Sequence, residues 1–66
     1  MQTFTFNGKE IPLMPGQTLQ SLLMGQKNLE GMAVMVNGQH VPRDQYGDRM
    51  IQAGDVIECV QMMQGG

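Results

Sequence analysis

Met32-Ala33-Val34-Met35-Val36-Asn37-Gly38-Gln39-His40-Val41-Pro42 is the stretch whose reading decides the fold. Met32 to Val36 is a continuous apolar run of strand length. Asn37-Gly38 follows it, a dipeptide that tolerates positive φ at both positions and is a strong short-range hairpin signal. Gln39 to Val41 then reads as the return strand, ended by Pro42, which has no N–H to give to a ladder. Alternation along the first strand places Val34 and Val36 toward the core and Met35 on the opposite face.

Working outward toward the N-terminus, the same grammar recurs. Thr3-Phe4-Thr5-Phe6 alternates polar and aromatic residues with the period of a half-buried strand. Asn7-Gly8 makes the turn. Lys9 to Leu13 returns, with Ile11 and Leu13 on one face, and Pro15-Gly16 ends it. Thr18 is placed to cap a helix through its hydroxyl. The reciprocal half of a capping box is expected to be missing, because Ser21 stands where Glu or Gln would reach back. Leu19, Leu22 and Leu23 form one apolar stripe. Gly25 weakens the helix by about 1 kcal/mol relative to alanine, and the helix is expected to end near Lys27 or Asn28.

In the other direction, Arg43 to Asp48 reads as an irregular loop or a single helical turn. Ala53-Gly54-Asp55 is a further turn, and Val56 to Met62 is the last strand. The order is hairpin, helix, hairpin, final strand. One helix laid across a small mixed sheet buries the leucine stripe and one sheet face together. This is an α+β architecture, the β-grasp of ubiquitin-like domains. The predicted core is Leu19, Leu22 and Leu23 over Phe4, Phe6, Ile11, Val34, Val36, Ile57 and Cys59. A single domain over 1–66 is expected, with 63–66 as a flexible tail.

Composition bounds what such a domain does. The chain has 66 residues, 41% of them hydrophobic, and a core of that size supplies only about 3–5 kcal/mol. That argues against a large enzyme with its own substrate cavity. Four Lys+Arg against six Asp+Glu leave a net charge of −2, without the clustered basic footprint that nucleic-acid binding needs. Met1-Gln-Thr-Phe-Thr-Phe has no signal-peptide pattern. No apolar run approaches the roughly 20 residues of a membrane span. A cytoplasmic, reducing setting follows.

No catalytic constellation is visible: paired carboxylates, a phosphate-binding glycine loop and a Ser-His pairing are all missing. Cys59 is the one cysteine, which excludes a disulfide framework or a multi-cysteine zinc site. Its alternation with Ile57 makes it a small core hydrophobe rather than a nucleophile. His40 has no second ligand at metal spacing. Arg43 is within sequence reach of Asp44 and Asp48, and an acidic patch on a partner is the other candidate. Met14, Met24 and Met32 are expected to fill core gaps, although methionine also suits binding surfaces.

The last strand carries more information. One face holds Ile57, Cys59 and Gln61, the other Val56, Glu58, Val60 and Met62. Glu58 is not buried without a partner, so the second face is the wet one. It nevertheless presents Val56, Val60 and Met62, and exposed apolar patches mark interaction sites.

The stretch Val36-Asn37-Gly38-Gln39-His40-Val41-Pro42-Arg43, then Gly54-Asp55-Val56-Ile57-Glu58, then Gly65-Gly66 resembles the ThiS family of sulfur carriers of thiazole (thiamine) biosynthesis. Phe6-Asn7-Gly8 and Pro15-Gly16-Gln17-Thr18-Leu19 fit the same pattern, so the resemblance covers essentially the whole chain. Two departures bear on which downstream partner is used. Tyr46 stands where family members often carry tryptophan, and the chain has eight methionines.

The resemblance implies a co-substrate rather than an enzyme. A ThiF-type adenylyltransferase would use ATP to convert the Gly66 carboxylate into an acyl adenylate. Sulfur from a persulfide donor would replace AMP, and a ThiG-type thiazole synthase would take it from the resulting thiocarboxylate. The chain itself would bind no cofactor and no metal, and would be a monomer when free. Gly65 and Gly66 would carry the chemistry, with Val56, Val60, Met62 and Met63 as the partner-binding residues.

The physical requirement matches those residues. Adenylation needs a free carboxylate on a slender segment that enters a site closed to water. Glycine lets the backbone approach a partner closely. Met63 to Gly66, extended, reaches roughly 13 Å. A Gly-Gly ending taken alone reads as a frayed terminus. Joined to the β-grasp order, it reads as a reactive one. A MoaD-type carrier for another pathway, a ubiquitin-like modifier and a plain interaction module are the rival readings.

Overall fold

A computed structural model describes residues 2–25 and 31–61. The elements are β1 (Thr3–Phe6), β2 (Lys9–Pro12), α1 (Leu19–Met24), β3 (Met32–Val36), β4 (Gln39–Val41), a 3-10 turn (Arg43–Gln45) and β5 (Val56–Gln61). They form a five-stranded sheet in the order β2-β1-β5-β3-β4. β5 lies at its centre, parallel to β1 and antiparallel to β3, while the two hairpins supply the outer pairs. This mixed sheet with one helix is the expected β-grasp.

Both hairpins close through left-handed turns. Asn7 and Gly8 have φ of 51° and 82°, and Asn37 and Gly38 have 53° and 83°. Positive φ at both central residues gives a turn whose twist matches the flanking strands. The register follows from it, Phe6 opposite Lys9 and Val36 opposite Gln39.

Leu19, Leu22 and Leu23 pack on Phe4, Phe6, Val34, Val36, Ile57 and Cys59, as the stripe and the alternation predict. Ile11 is only partly buried, because β2 is an edge strand with nothing beyond it to cover that face. Val41 and Ile51 complete the core, and neither belongs to the set that the sequence pattern predicts. Ile51 is drawn in by the backbone, its N–H donating to Gln17 O at 2.9 Å beside the Thr18–Met50 bridge.

Several local expectations need correction. The capping box is complete: Ser21 N–H donates to Thr18 Oγ1 at 3.2 Å, and Thr18 N–H donates to Ser21 Oγ at 3.0 Å. A serine hydroxyl both accepts and donates, and this one also donates to Thr18 O at 2.8 Å. Met14 and Met24 are exposed at 62% and 78% and fill no core gap, whereas Met32 does pack against the core. β2 stops at Pro12 rather than Leu13, although Leu13 N–H still donates to Gln2 O. Gly25 takes the C-cap position of α1. The expected helix end at Lys27 or Asn28 lies outside the described residues, as do Met62 and the 63–66 tail.

Candidate functional site

The site is built on β5 because that strand leads into the last residues of the chain. Its burial alternates as predicted through Val60, with Ile57 and Cys59 buried and Val56, Glu58 and Val60 exposed; Gln61, expected on the Ile57 face, is exposed as well, so the alternation ends there. Val56 and Val60 are 42% and 45% exposed, among the largest exposures of any apolar side chain in the described sheet. Register extends this outer face across β3 and β4. Ala33 is opposite Val60, Met35 is opposite Glu58, and His40 is opposite Met35. Ala33 is buried yet stands apart from the core cluster, consistent with its place on the outer face beneath larger neighbours. The result is an apolar face of Val56, Val60, Ala33 and Met35, interrupted by Glu58 between the two valines and edged by the polar Thr5 and His40.

The strand is fixed by two side chains that the sequence marked only as turn residues. Asn37 N–H donates to Val56 O at 2.8 Å, and its Oδ1 accepts from Val56 N–H at 2.9 Å. Asn37 Nδ2 in turn donates to Asp55 Oδ1 at 3.0 Å, while Asp55 Oδ2 accepts from Gln52 N–H at 2.8 Å. Asp55, 8% exposed, is the buried charged residue of the described structure, and both its carboxylate oxygens are occupied. Buried charge persists where it is hydrogen-bonded in this way.

On the opposite edge of β5, Asn7 N–H donates to Ile57 O at 2.9 Å, and Asn7 Oδ1 accepts from Cys59 N–H at 2.9 Å. Each Asn-Gly turn therefore does two things: the backbone closes a hairpin and the side-chain amide grips the central strand. Nothing in the local sequence signals the second role, because Val56 is 19 residues from Asn37 and Cys59 is 52 from Asn7.

The remaining candidates fall into place. Cys59 is a free, buried cysteine, and burial pushes its thiol up, the opposite of an activated nucleophile. Tyr46 packs against the core edge. Burial raises its hydroxyl pKa, the Arg43 charge lowers it, and negative charge on the Cys59 thiolate raises it. Among the described residues no group of three or more His, Cys, Asp or Glu is placed to hold a metal. No helix there is long and apolar enough to cross a membrane. Of the predicted site residues the structure places Val56 and Val60 together on one face. Met62, Met63, Gly65 and Gly66 lie outside the described residues.

The chain matches the model of the ThiS family over residues 2–66. It is 36% identical over 63 residues to the sulfur carrier protein ThiS of Escherichia coli, covering 92% of this chain and 94% of that protein. It is 42% identical over 62 residues to the sulfur carrier protein ThiS of Thermus thermophilus, covering 91% and 94%. The crystal structure of a thiamine biosynthesis protein (ThiS) from Geobacter metallireducens superimposes with a TM-score of 0.79 at 25% identity, covering 97% of this chain and 99% of that one.

Proposed function

The chain belongs to the ThiS family of sulfur carriers, and from that premise we propose that Gly66 is the residue whose α-carboxylate receives and gives up sulfur. The observation that carries this reading is the family match itself, which extends through Gly65 and Gly66. The outer face of β5 supports it, since that strand presents an apolar strip on the way to those residues.

A carboxylate oxygen of Gly66 attacks the α-phosphorus of ATP on a ThiF-type adenylyltransferase, and pyrophosphate leaves. The acyl adenylate then has a good leaving group. The terminal sulfur of a persulfide attacks the carbonyl carbon and expels AMP, giving an acyl disulfide. A second thiol attacks the donor-side sulfur, forming a disulfide and releasing the thiocarboxylate. A ThiG-type thiazole synthase is the acceptor. The carrier contributes no acid, base or metal to these steps: it contributes the carboxylate, a slender segment to present it, and a face to dock.

Val56 and Val60 lie on that docking face, Met62 and Met63 are the further partner-binding residues of this reading, and the setting is the cytoplasm. The first step is tested by pyrophosphate release from the adenylyltransferase. Release that requires this chain supports the assignment, and release indifferent to its presence contradicts it.

A further inference from the structure

We propose that Glu58 is the residue by which the docking face selects its partner: the surface that seats there carries a cationic side chain, arginine or lysine, set within an apolar patch. The inference rests on the carrier reading above and deepens it by stating the chemistry of the adenylyltransferase surface.

Residues directly opposite each other across an antiparallel pair point to the same side of a sheet, so register sorts the charges by face. Thr5 lies opposite Glu10, and Met35 lies opposite both Glu58 and His40. These residues share the outer side, because Phe4, Phe6, Val34 and Val36 fill the core side. The described cations belong elsewhere. Lys9 is opposite core-facing Phe6. Arg43 is close enough for its charge to act on Tyr46, which packs against the core. Arg49 O accepts from Leu19 N–H at the start of the helix. Among the described residues, the outer side of the sheet therefore carries two acids and neither Lys nor Arg.

The two acids differ in place. Glu10 is on the edge strand β2 and accepts a hydrogen bond from Thr3 Oγ1 at 2.7 Å. Glu58 is on the central strand, between exposed Val56 and Val60 and beside Met35. A partner that covers those valines covers the carboxylate as well. Taking an ionised carboxylate out of water is costly unless it is paired and hydrogen-bonded. A purely apolar surface is rejected on that ground, and one that offers a cation at the same place is accepted. One residue thus favours the right partner and disfavours the wrong one.

The test measures association and dissociation rates with a ThiF-type adenylyltransferase for wild type, Glu58→Gln, Glu58→Lys and Asp48→Asn. Glutamine keeps the shape of the side chain and removes its charge. Asp48→Asn makes the same change in net charge at an exposed site in the segment that bonds to the helix start. Truncating one partner of a desolvated charge pair acts on dissociation, whereas a peripheral charge acts on association. Glu58→Gln is expected to raise koff by about 10-fold or more, with kon within about threefold. Glu58→Lys sets like charges face to face and is expected to weaken binding by about 100-fold or more. Asp48→Asn is expected to stay within about twofold of wild type in both rates. Glu58 is exposed, so its variants are expected to unfold like wild type. If Glu58→Gln proves unstable, Glu58→Lys carries the same comparison.

Wild-type koff in Glu58→Gln, a loss confined to kon, tighter binding by either Glu58 variant, or an equal loss in Asp48→Asn overturns the inference. A wild-type chain that does not bind the adenylyltransferase overturns the carrier reading, and this inference with it. That outcome is distinct from wild-type binding that Glu58→Gln leaves unchanged, which overturns the role of Glu58 alone.

Discussion

At the scale of the residue, Asn37 shows how much one side chain does in so small a domain. It adopts φ of 53°, accepts from Val56 N–H and donates to Asp55. Asn37→Ala loses all three, and each part is worth on the order of 1 kcal/mol, for a total of about 2–4 kcal/mol. Asn37→Gly keeps the turn and loses the other two parts, so it is expected to cost about two-thirds of that. Urea unfolding of the two variants checks the order, and equal costs would contradict it. The turn is legible in the sequence because Asn-Gly has a local conformational signature. The grip on Val56 is not, because it depends on which strand the fold brings alongside. Ser21 teaches the same lesson in the capping box: a serine carries no local sign that its hydroxyl will turn back to the N-cap. Cys59 gives a pH prediction. Burial raises its folded pKa, so the folded state holds the thiol proton more tightly than the unfolded chain. Its contribution to stability is therefore full below the unfolded thiol value of about 8.5 and is lost as pH rises through the folded one. Thermal unfolding from about pH 7 to 10 is expected to show a steeper alkaline decline in wild type than in Cys59→Ala, and parallel declines would contradict the assignment.

The elements are the most legible level, and the reason is periodicity. Strand alternation and the leucine stripe each repeat a pattern over several residues, so β1, β3, β4 and the helix start follow directly. The segment 43–52 has no such repeat, and nothing in it marks Ile51 as buried. Tertiary bonding alone brings it in. Among the helix residues, Leu22 is 8% exposed within the core cluster. Leu22→Ala is expected to cost about 2–5 kcal/mol, comparable with the whole stability of a domain this size. An unfolding curve barely displaced from wild type would remove Leu22 from the core. The outer face of β5 makes the opposite prediction. Val56 and Val60 are exposed, so aspartate at both sites is expected to leave the fold intact. It is also expected to weaken binding to the adenylyltransferase, because charge is placed in the centre of an apolar contact. Unchanged affinity in a folded Val56→Asp, Val60→Asp double variant would show that this face is not the docking surface.

On the proposed reading, the whole molecule divides labour between the sheet and a sulfur-carrying end. The body is a sheet whose central strand is held on one edge by Asn7 and on the other by Asn37. The end is Gly65-Gly66, whose role is suggested by its place after a β-grasp pattern and supported by the family match. Such a division predicts that the two parts respond to change independently. Deleting Gly66 removes no core side chain and is expected to leave the melting temperature nearly unaltered. It withdraws the carboxylate by one residue, roughly 3.5 Å, and is expected to abolish thiolation. Gly65→Val is expected to fail likewise, since a β-branched side chain stiffens and widens the segment. The most direct measurement is the intact mass of the chain after incubation with the adenylyltransferase, ATP and a persulfide donor. A gain equal to the difference between a sulfur and an oxygen atom is predicted in the full-length chain and not in the Gly66 deletion. No gain in the full-length chain, or the same gain in the deletion, would contradict the carrier mechanism.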